Sequence, residues 1–336
     1  MSKILSKIKR EVLSLGQYGS IWNFAHGFKK ETIALNGVTH TNYRSFMSDR
    51  RYRKGHPYNA RFSSIIDNKM YLPYLLKDYQ QYCPVYYFFV SDGKVKSMKN
   101  NIDDGIQAFL NFLADEKKVA LKQCYSSLGK GFHVIEQSEM GGVIIDKKES
   151  TIAQLESLFK HCHDYVCTEY VKQHEYSMNI SSSSLNTLRF LCVRDTKTEK
   201  FYVARCFHRF GVEGSLVDNL GGGNGYLFLV DKETGQIKPN GAKNVMNDGE
   251  VYMDELDYPD NKVYGGMQIP RFQEVCDKIV EISNSFPFLR YVGWDVAITD
   301  DGFKIIEANS LTSLGVLQRE GGYMDDPDLR RFFTGI

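Results

Sequence analysis

From about residue 60 onwards, hydrophobic and polar positions switch between the period of a helix and that of a strand. Met70 to Tyr79 has helical spacing, whereas Pro84 to Val90 (PVYYFFV) is a run of β-formers that predicts a strand. Ile106, Phe109, Leu110 and Leu113 fall at i, i+3, i+4 and i+7, which predicts an amphipathic helix, and Val119 to Lys122 follows as a short strand. Ile152, Leu155, Leu158 and Phe159 predict another helix ahead of a strand from Tyr165 to Glu169. Asn186 to Arg194 and Lys200 to His208 read as paired strands around the polar turn at 195–199. Phe272, Val275, Cys276 and Ile279 mark a late helix. Beyond it, Tyr291 to Thr299 and Gly302 to Ala308 are two strands joined through Asp300-Asp-Gly302, a hairpin turn signal. Helices mixed with hairpin-paired strands predict an α+β fold with antiparallel sheets and no internal repeat.

Composition narrows the class. At 336 residues, with 42% hydrophobic and 25% charged positions, the chain reads as an ordinary globular protein of two domains or one two-lobed domain. A net charge of +1 excludes a uniformly basic nucleic-acid binder. The most apolar run, Val85 to Val90, is far short of the ~18–20 residues that span a bilayer. The first residues lack the order of a secretory signal, and seven irregularly spaced cysteines fit a reducing compartment, so a cytoplasmic location is expected.

The charge is uneven. Residues 1–55 hold eleven Lys/Arg against three acids, a balance of +8, which leaves −7 for the rest. Ile4, Leu5, Ile8, Val12 and Leu13 have helical spacing with lysines between them. Two readings stand: a helix that docks on the main domain with its lysines solvated, or a basic face for an anionic partner such as the inner membrane surface or a lipid-linked diphosphate.

Two stretches carry candidate chemistry. Lys122 ends a strand and precedes a Ser/Gly loop, Ser126 to Gly131, before a second strand at 132–135. Such a loop lets backbone N–H groups approach phosphate oxygens, although its spacing is not that of a Walker A loop and a plain hairpin turn fits equally well. The second stretch is more specific. With a turn at Asp300-Asp-Gly302, Asp295 comes opposite Glu307, and Asn309 shares a face with Glu307. Like charges placed so repel, and a divalent cation would resolve the conflict. Two carboxylates and an amide oxygen are hard ligands suited to Mg²⁺.

The Asp295…Glu307-x-Asn309 hairpin resembles the magnesium site of the ATP-grasp superfamily, as in D-alanine–D-alanine ligases and glutathione synthetases. The stretch from about 165 to 310 is similar to the sugar-transfer associated ATP-grasp proteins, through 169–174 (EYVKQH), 184–191 (SLNTLRFL), 218–223 (DNLGGG), 230–235 (VDKETG) and 293–302 (GWDVAITDDG) in the family's order. The resemblance implies ATP held between two α+β lobes, and a carboxylate activated as an acyl phosphate that an amine attacks. It implies phosphate contacts from Lys122 and a lid at Ser126, Ser127, Gly129, Lys130 and Gly131. Lys69 matches an earlier lysine, with Asn68 as an extra residue in the pattern. Glu169, Tyr170 and Val171 would form the hinge that reads adenine, and Glu175 or Glu169 would take the ribose. Asp295, Glu307 and Asn309 would hold Mg²⁺. Arg189 would face the transferred phosphate, and Arg205, Arg209 and Asn219 would lie near the acceptor or the γ-phosphate. D-alanine–D-alanine ligases have an arginine two residues before the metal aspartate; here that place is Gly293.

The expected organisation is a basic helical segment at 1–60, a small region at 61–105, a small lobe with the lid at 106–175 and a large lobe with the metal site at 176–336. The function implied is an ATP-dependent carboxylate–amine ligase, using ATP and Mg²⁺, that amidates a uronic acid or similar sugar carboxylate with an amino acid or amine in surface polysaccharide biosynthesis. Two alternatives are a kinase acting on a sugar hydroxyl at the same site and a non-catalytic ATP-binding module. His161, His163 and Cys167 lack the spacing of a zinc site, and the glycines at 221–225 lack the βαβ context of a dinucleotide fingerprint. The 21 tyrosines and 21 phenylalanines read mainly as core, with a few as candidates for a sugar groove.

Overall fold

Two antiparallel sheets of seven strands each form the frame in the computed structural model, which describes residues 16–127, 129–218, 225–247, 250–255 and 265–335. The first sheet comprises β1 (Tyr86–Ser91), β2 (Lys94–Ser97), β3 (Lys118–Gln123), β4 (Phe132–Gln137), β5 (Val143–Ile145), β6 (Lys148–Ser150) and β7 (Tyr165–Glu169), in the order β2-β1-β7-β3-β4-β5-β6. Helices Ile106–Glu116 and Ile152–His161 cover one face, burying Phe109, Leu113, Leu155 and Phe159 against Phe88, Val119, Leu121 and Cys167. Thr151 starts the second helix through a capping box with Gln154. Because strand side chains alternate, β3 sends Val119 and Leu121 into this core and turns Ala120 and Lys122 to the opposite side.

The second sheet comprises β8 (Leu188–Arg194), β9 (Phe201–Gly211), β10 (Gly225–Val230), β11 (Ile237–Asn247), β12 (Glu250–Glu255), β13 (Tyr291–Thr299) and β14 (Gly302–Asn309), in the order β12-β11-β10-β9-β8-β13-β14. Helix Phe272–Asn284 lays Phe272, Val275, Cys276, Ile279 and Ile282 over one face, against Phe190, Cys192, Cys206, Phe228, Val292 and Trp294. The opposite face changes character along its strands. Leu191, Val193, Phe207 and Tyr291 pack under the chain's two terminal segments. Further along, the same faces of β8, β9 and β13 carry Arg189, Arg209 and Asp295.

Residues 1–15 and their expected amphipathic helix lie outside the described residues. The rest of the basic segment is a working part of the large lobe. Asn59 Oδ1 accepts hydrogen bonds from Arg290 N and Tyr291 N, and its amide donates to Tyr291 O. The hydroxyls of Tyr52 and Tyr291 hydrogen-bond at 2.8 Å, and Gln318 bonds both backbone groups of Met47. Residues 86–97 belong to the first sheet as β1 and β2. The single helix expected over 70–79 is instead a chain of short turns at Lys69–Tyr71, Leu72–Leu75 and Lys77–Tyr82. Pro73 can occupy only a first helical turn, and Tyr79 departs from helical dihedrals. Among the described residues, no helix is long and apolar enough to cross a membrane.

Candidate active site

Between the sheets lies a cavity of about 230 Å³. Its small-lobe wall is Lys69, Ala120, Lys122 and the loop Ser126 to Gly131, without the undescribed Leu128. Gly129 and Gly131 have φ of +68° and +66°, a region that disfavours side chains. A Cβ on Gly131 would come within 2.5 Å of Tyr165 Oη, and one on Gly129 within 2.9 Å of Val217 of the large lobe. Glycine therefore lets the loop reach across the opening. Lys69 Nζ donates to Ser126 O at 2.9 Å and pairs with Glu307 Oε2 at 3.0 Å, linking loop and large lobe. Lys122 is buried, and among the described residues its ammonium has no hydrogen-bond or ion-pair partner. Burial, reinforced by the nearby Lys69 charge, pushes its pKa down to about 8.

The large-lobe wall is built on the β8–β13–β14 register. Asp295 lies opposite Arg189 on one side and Glu307 on the other. Both Asp295 oxygens are engaged: Arg189 grips the carboxylate with Nε and with Nη2, the latter at 2.7 Å from Oδ2, and Arg209 Nη2 donates to Oδ2 at 2.9 Å. Burial alone would raise the Asp295 pKa, but the two guanidinium groups hold it well below the usual carboxylate range. The like-charge conflict expected of Asp295 and Glu307 is thus met by arginines. Asp218, which accepts from Thr187 N and Oγ1, is raised by burial because Arg209 Nε stands 3.6 Å away and only partly compensates. Among the described residues, Arg209 Nε is buried without a hydrogen-bond partner.

Of the residues expected from sequence, Lys69, Lys122, Ser126, Ser127, Gly129, Lys130, Gly131, Glu169, Tyr170, Val171, Arg189, Asp295, Glu307 and Asn309 all line this cavity, as does Arg209. Two do not, and this corrects the expectation. Arg205 shares the face of Arg209 but lies nearer the terminal helices, where Nη1 pairs with Asp326 at 2.8 Å. Asp326 caps helix Pro327–Thr334, so Arg205 fastens the C-terminal segment. Glu175 is exposed at the start of the short helix Glu175–Met178, so of the two carboxylates only Glu169 lines the cavity. Asn219 lies outside the described residues. The sequence reading missed Thr187, Asp218 and the apolar Leu185, Val217 and Ile306 as lining residues. Thr187 stands two residues from Arg189, so strand alternation was a signal for it; the apolar ones carried none.

Gly293 has a structural reason. A Cβ there would come within 2.4 Å of Thr312 Cγ2 and 3.1 Å of Arg189 Cδ. The space a side chain at 293 would need is taken by the Thr312 methyl and by the stem of Arg189 from the neighbouring strand.

Residues 49–324 match the family described as sugar-transfer associated ATP-grasp, well over half the chain. The chain belongs to this family. No curated protein matches it in sequence. Similar solved structures include D-alanyl-alanine synthetase A from Vibrio cholerae O1 biovar eltor str. N16961, at 10% identity and a TM-score of 0.45 over 80% of this chain and 65% of that one. The D-alanine–D-alanine ligase of Bacillus anthracis aligns at 11% identity and a TM-score of 0.42, over 81% and 68% of the two chains. Phosphoribosylamine–glycine ligase from Thermotoga maritima aligns at 12% and 0.43, over 81% and 55%. The chain thus spans less than two thirds of the length of the first and third of these proteins.

The residues present fit the ligands this family name implies. The Lys122 ammonium on the cavity wall, the glycine loop and the Arg209 guanidinium, whose Nε has no hydrogen-bond partner among the described residues, suit an anionic phosphate chain. Asp295, Glu307 and Asn309 are the hard-oxygen donors at hand for Mg²⁺, but Arg189 and Arg209 hold both Asp295 oxygens and Lys69 pairs with Glu307 Oε2, so a cation would have to displace these contacts. Among the described residues no three His, Cys, Asp or Glu side chains converge, so further ligands would have to be phosphate oxygens and water, as Mg²⁺ prefers.

Proposed function

We propose that this protein is an ATP-dependent carboxylate–amine ligase that works through an acyl phosphate on a uronic acid or similar sugar carboxylate, in polysaccharide biosynthesis. The observation that carries this reading is the meeting of two lysines and a glycine loop from one lobe with a carboxylate–arginine network from the other, around one cavity. Lys122, Lys69 and the backbone of 126–131 would bind the phosphates, with Glu169 to Val171 at the adenine end. Asp295, Glu307 and Asn309 would hold Mg²⁺, which when bound neutralises phosphate charge and polarises the γ-phosphoryl group. Arg209, whose Nε has no hydrogen-bond partner among the described residues, would draw in the acceptor carboxylate, whose approach to an anionic phosphoryl group is otherwise repulsive, while Arg189 would hold Asp295 beside the transferred phosphate. Unit charges ~4 Å apart interact by roughly 4 kcal/mol at an effective dielectric of about 20, so each such cation matters at the scale of orders of magnitude in rate. The loop's reach toward Val217 would exclude water from a hydrolysable acyl phosphate.

Titration calorimetry with ATP, with and without Mg²⁺, tests the site. Magnesium-dependent binding that is weakened in Glu307→Gln is expected, and no nucleotide binding by folded protein would refute the reading. A screen of uronic acids with amino acids for ADP release then tests the chemistry. A ligase transfers ¹⁸O from the carboxylate into phosphate; ADP release without that transfer would place phosphorylation on a hydroxyl instead.

A further inference from the structure

The basic N-terminal part of the large lobe carries an apolar face that the ligase reading does not use. Helix Ile21–His26 turns Ile21, Phe24 and Ala25 outward, and Ile21 is 87% exposed. Trp22 borders this face, stacked on His26 and meeting His40 at a 55° tilt, each ring centroid 4.3 Å away, and Tyr43 closes the cluster edge-on. Cations frame it: the Arg50 guanidinium lies 4.7 Å over the Phe24 ring and Arg44 lies 5.5 Å over Tyr43. An exposed aliphatic tip beside indole and phenol rings, ringed by arginines, combines what hydrocarbon, interface and anionic headgroups each select.

We infer that this face docks the protein on an anionic lipid bilayer. Charge decides among occupants. Among residues 16–55, Lys or Arg stands at 29, 30, 44, 50, 51, 53 and 54 against acids only at 31 and 49, so this segment is net positive and an anionic plane attracts it. A second copy meeting the first through the same face would oppose two net positive segments. A nucleic acid would use the arginines but leaves Ile21 in water. The next helix along the chain, Lys30–Asn36, packs on helix Leu314–Leu317, which directly follows Ser313 of the cavity wall. The inference goes beyond the ligase reading and stands without it.

The test is sedimentation of the full-length protein with vesicles of phosphatidylglycerol and phosphatidylcholine, against vesicles of phosphatidylcholine alone. Binding to the anionic vesicles is expected, falling about fivefold for each of Arg44→Gln and Arg50→Gln and about tenfold or more for Ile21→Asp/Phe24→Asp. ATP affinity and thermal midpoint, measured on the same variants, should not move; this separates failure of the docking face from failure of the nucleotide site. Absence of binding to anionic vesicles overturns the inference, and so does equal binding to neutral ones. Full binding by Ile21→Asp/Phe24→Asp would assign it to other residues. A lowered thermal midpoint with unchanged vesicle binding would make the face an internal packing surface, and self-association abolished by the variant would make it a contact between copies; either outcome overturns it.

Discussion

The two walls of the cavity hold their positive charge in opposite ways. On the small lobe, Lys122 is buried without a hydrogen-bond or ion-pair partner among the described residues, and its pKa is pushed down to about 8. On the large lobe, Arg189 and Arg209 are as deeply placed, yet both are tied to Asp295. A lone ammonium without a counter-ion is costly and is worth keeping only if an anion arrives. A guanidinium paired in a bidentate fork is already satisfied, and its first effect is to fix the carboxylate it holds. One wall is therefore open for an incoming anion, and the other is preassembled around the Asp295 carboxylate.

The largest effect should come from breaking the preassembled wall. Asp295→Asn leaves two buried guanidinium groups without their shared carboxylate, and removal of one partner from a buried ion network costs about 3–5 kcal/mol. Glu307→Gln sits on the same cluster but is partly exposed, with a side-chain exposure of 25%. It should cost the fold little while weakening magnesium-dependent nucleotide binding. Urea unfolding of both variants checks this: similar, small losses of stability would mean that the arginine network does not hold Asp295 as described.

A smaller effect is expected at Gly293. Gly293→Ala forces the new methyl against Thr312 and the Arg189 stem, and overpacking of this kind costs about 1–3 kcal/mol. It also pushes the Arg189 fork away from Asp295. A purely steric defect would be relieved in full by Thr312→Ser in the same chain. Displacement of Arg189 would not, and should persist as weakened nucleotide binding in the double variant. The two readouts together separate packing from charge placement.

How far these walls were legible in sequence follows their chemistry. The turn at Asp300-Asp-Gly302 fixed the opposition of Asp295 and Glu307, and the register confirms it. Apolar periodicity located helices 106–116, 152–161 and 272–284, because each buries one stripe on a sheet. The Arg189–Asp295 pair was not readable, since nothing local says that β8 lies beside β13 across 106 residues of chain. Nor could alternation separate Arg205 from Arg209, which share a face and differ only in which end of the strand meets the other lobe. The docking of 43–59 was equally hidden, because Asn59 and Tyr52 find their partners more than 230 residues later. The short strands β5 and β6, and the hairpins of β10 to β12, were also missed, the former for want of length and the latter for polar and glycine content.

The smallest effect, and the most diagnostic of the open wall, is one of pH. In the unliganded protein Lys122 gives up its proton near pH 8, well below the ordinary 10.5 of a lysine, because burial and the Lys69 charge disfavour the ammonium form. Phosphate favours that form, so ATP binding must raise the Lys122 pKa and take up a proton around pH 8 to 9. ATP affinity should accordingly be level below pH 7 and fall by up to about tenfold per unit as pH rises past 8. Fold stability responds with the opposite sign: between about 8 and 10.5 the unfolded chain binds the extra proton, so this group's contribution to unliganded stability rises with pH across that window. Calorimetry at pH 8.5 in two buffers of different ionisation enthalpy measures the uptake directly, and Lys122→Met should abolish it while losing the pH dependence. If wild type binds ATP with no proton uptake and a level affinity from pH 7 to 9, Lys122 is not the free cation of the open wall, and the contrast between the two walls fails.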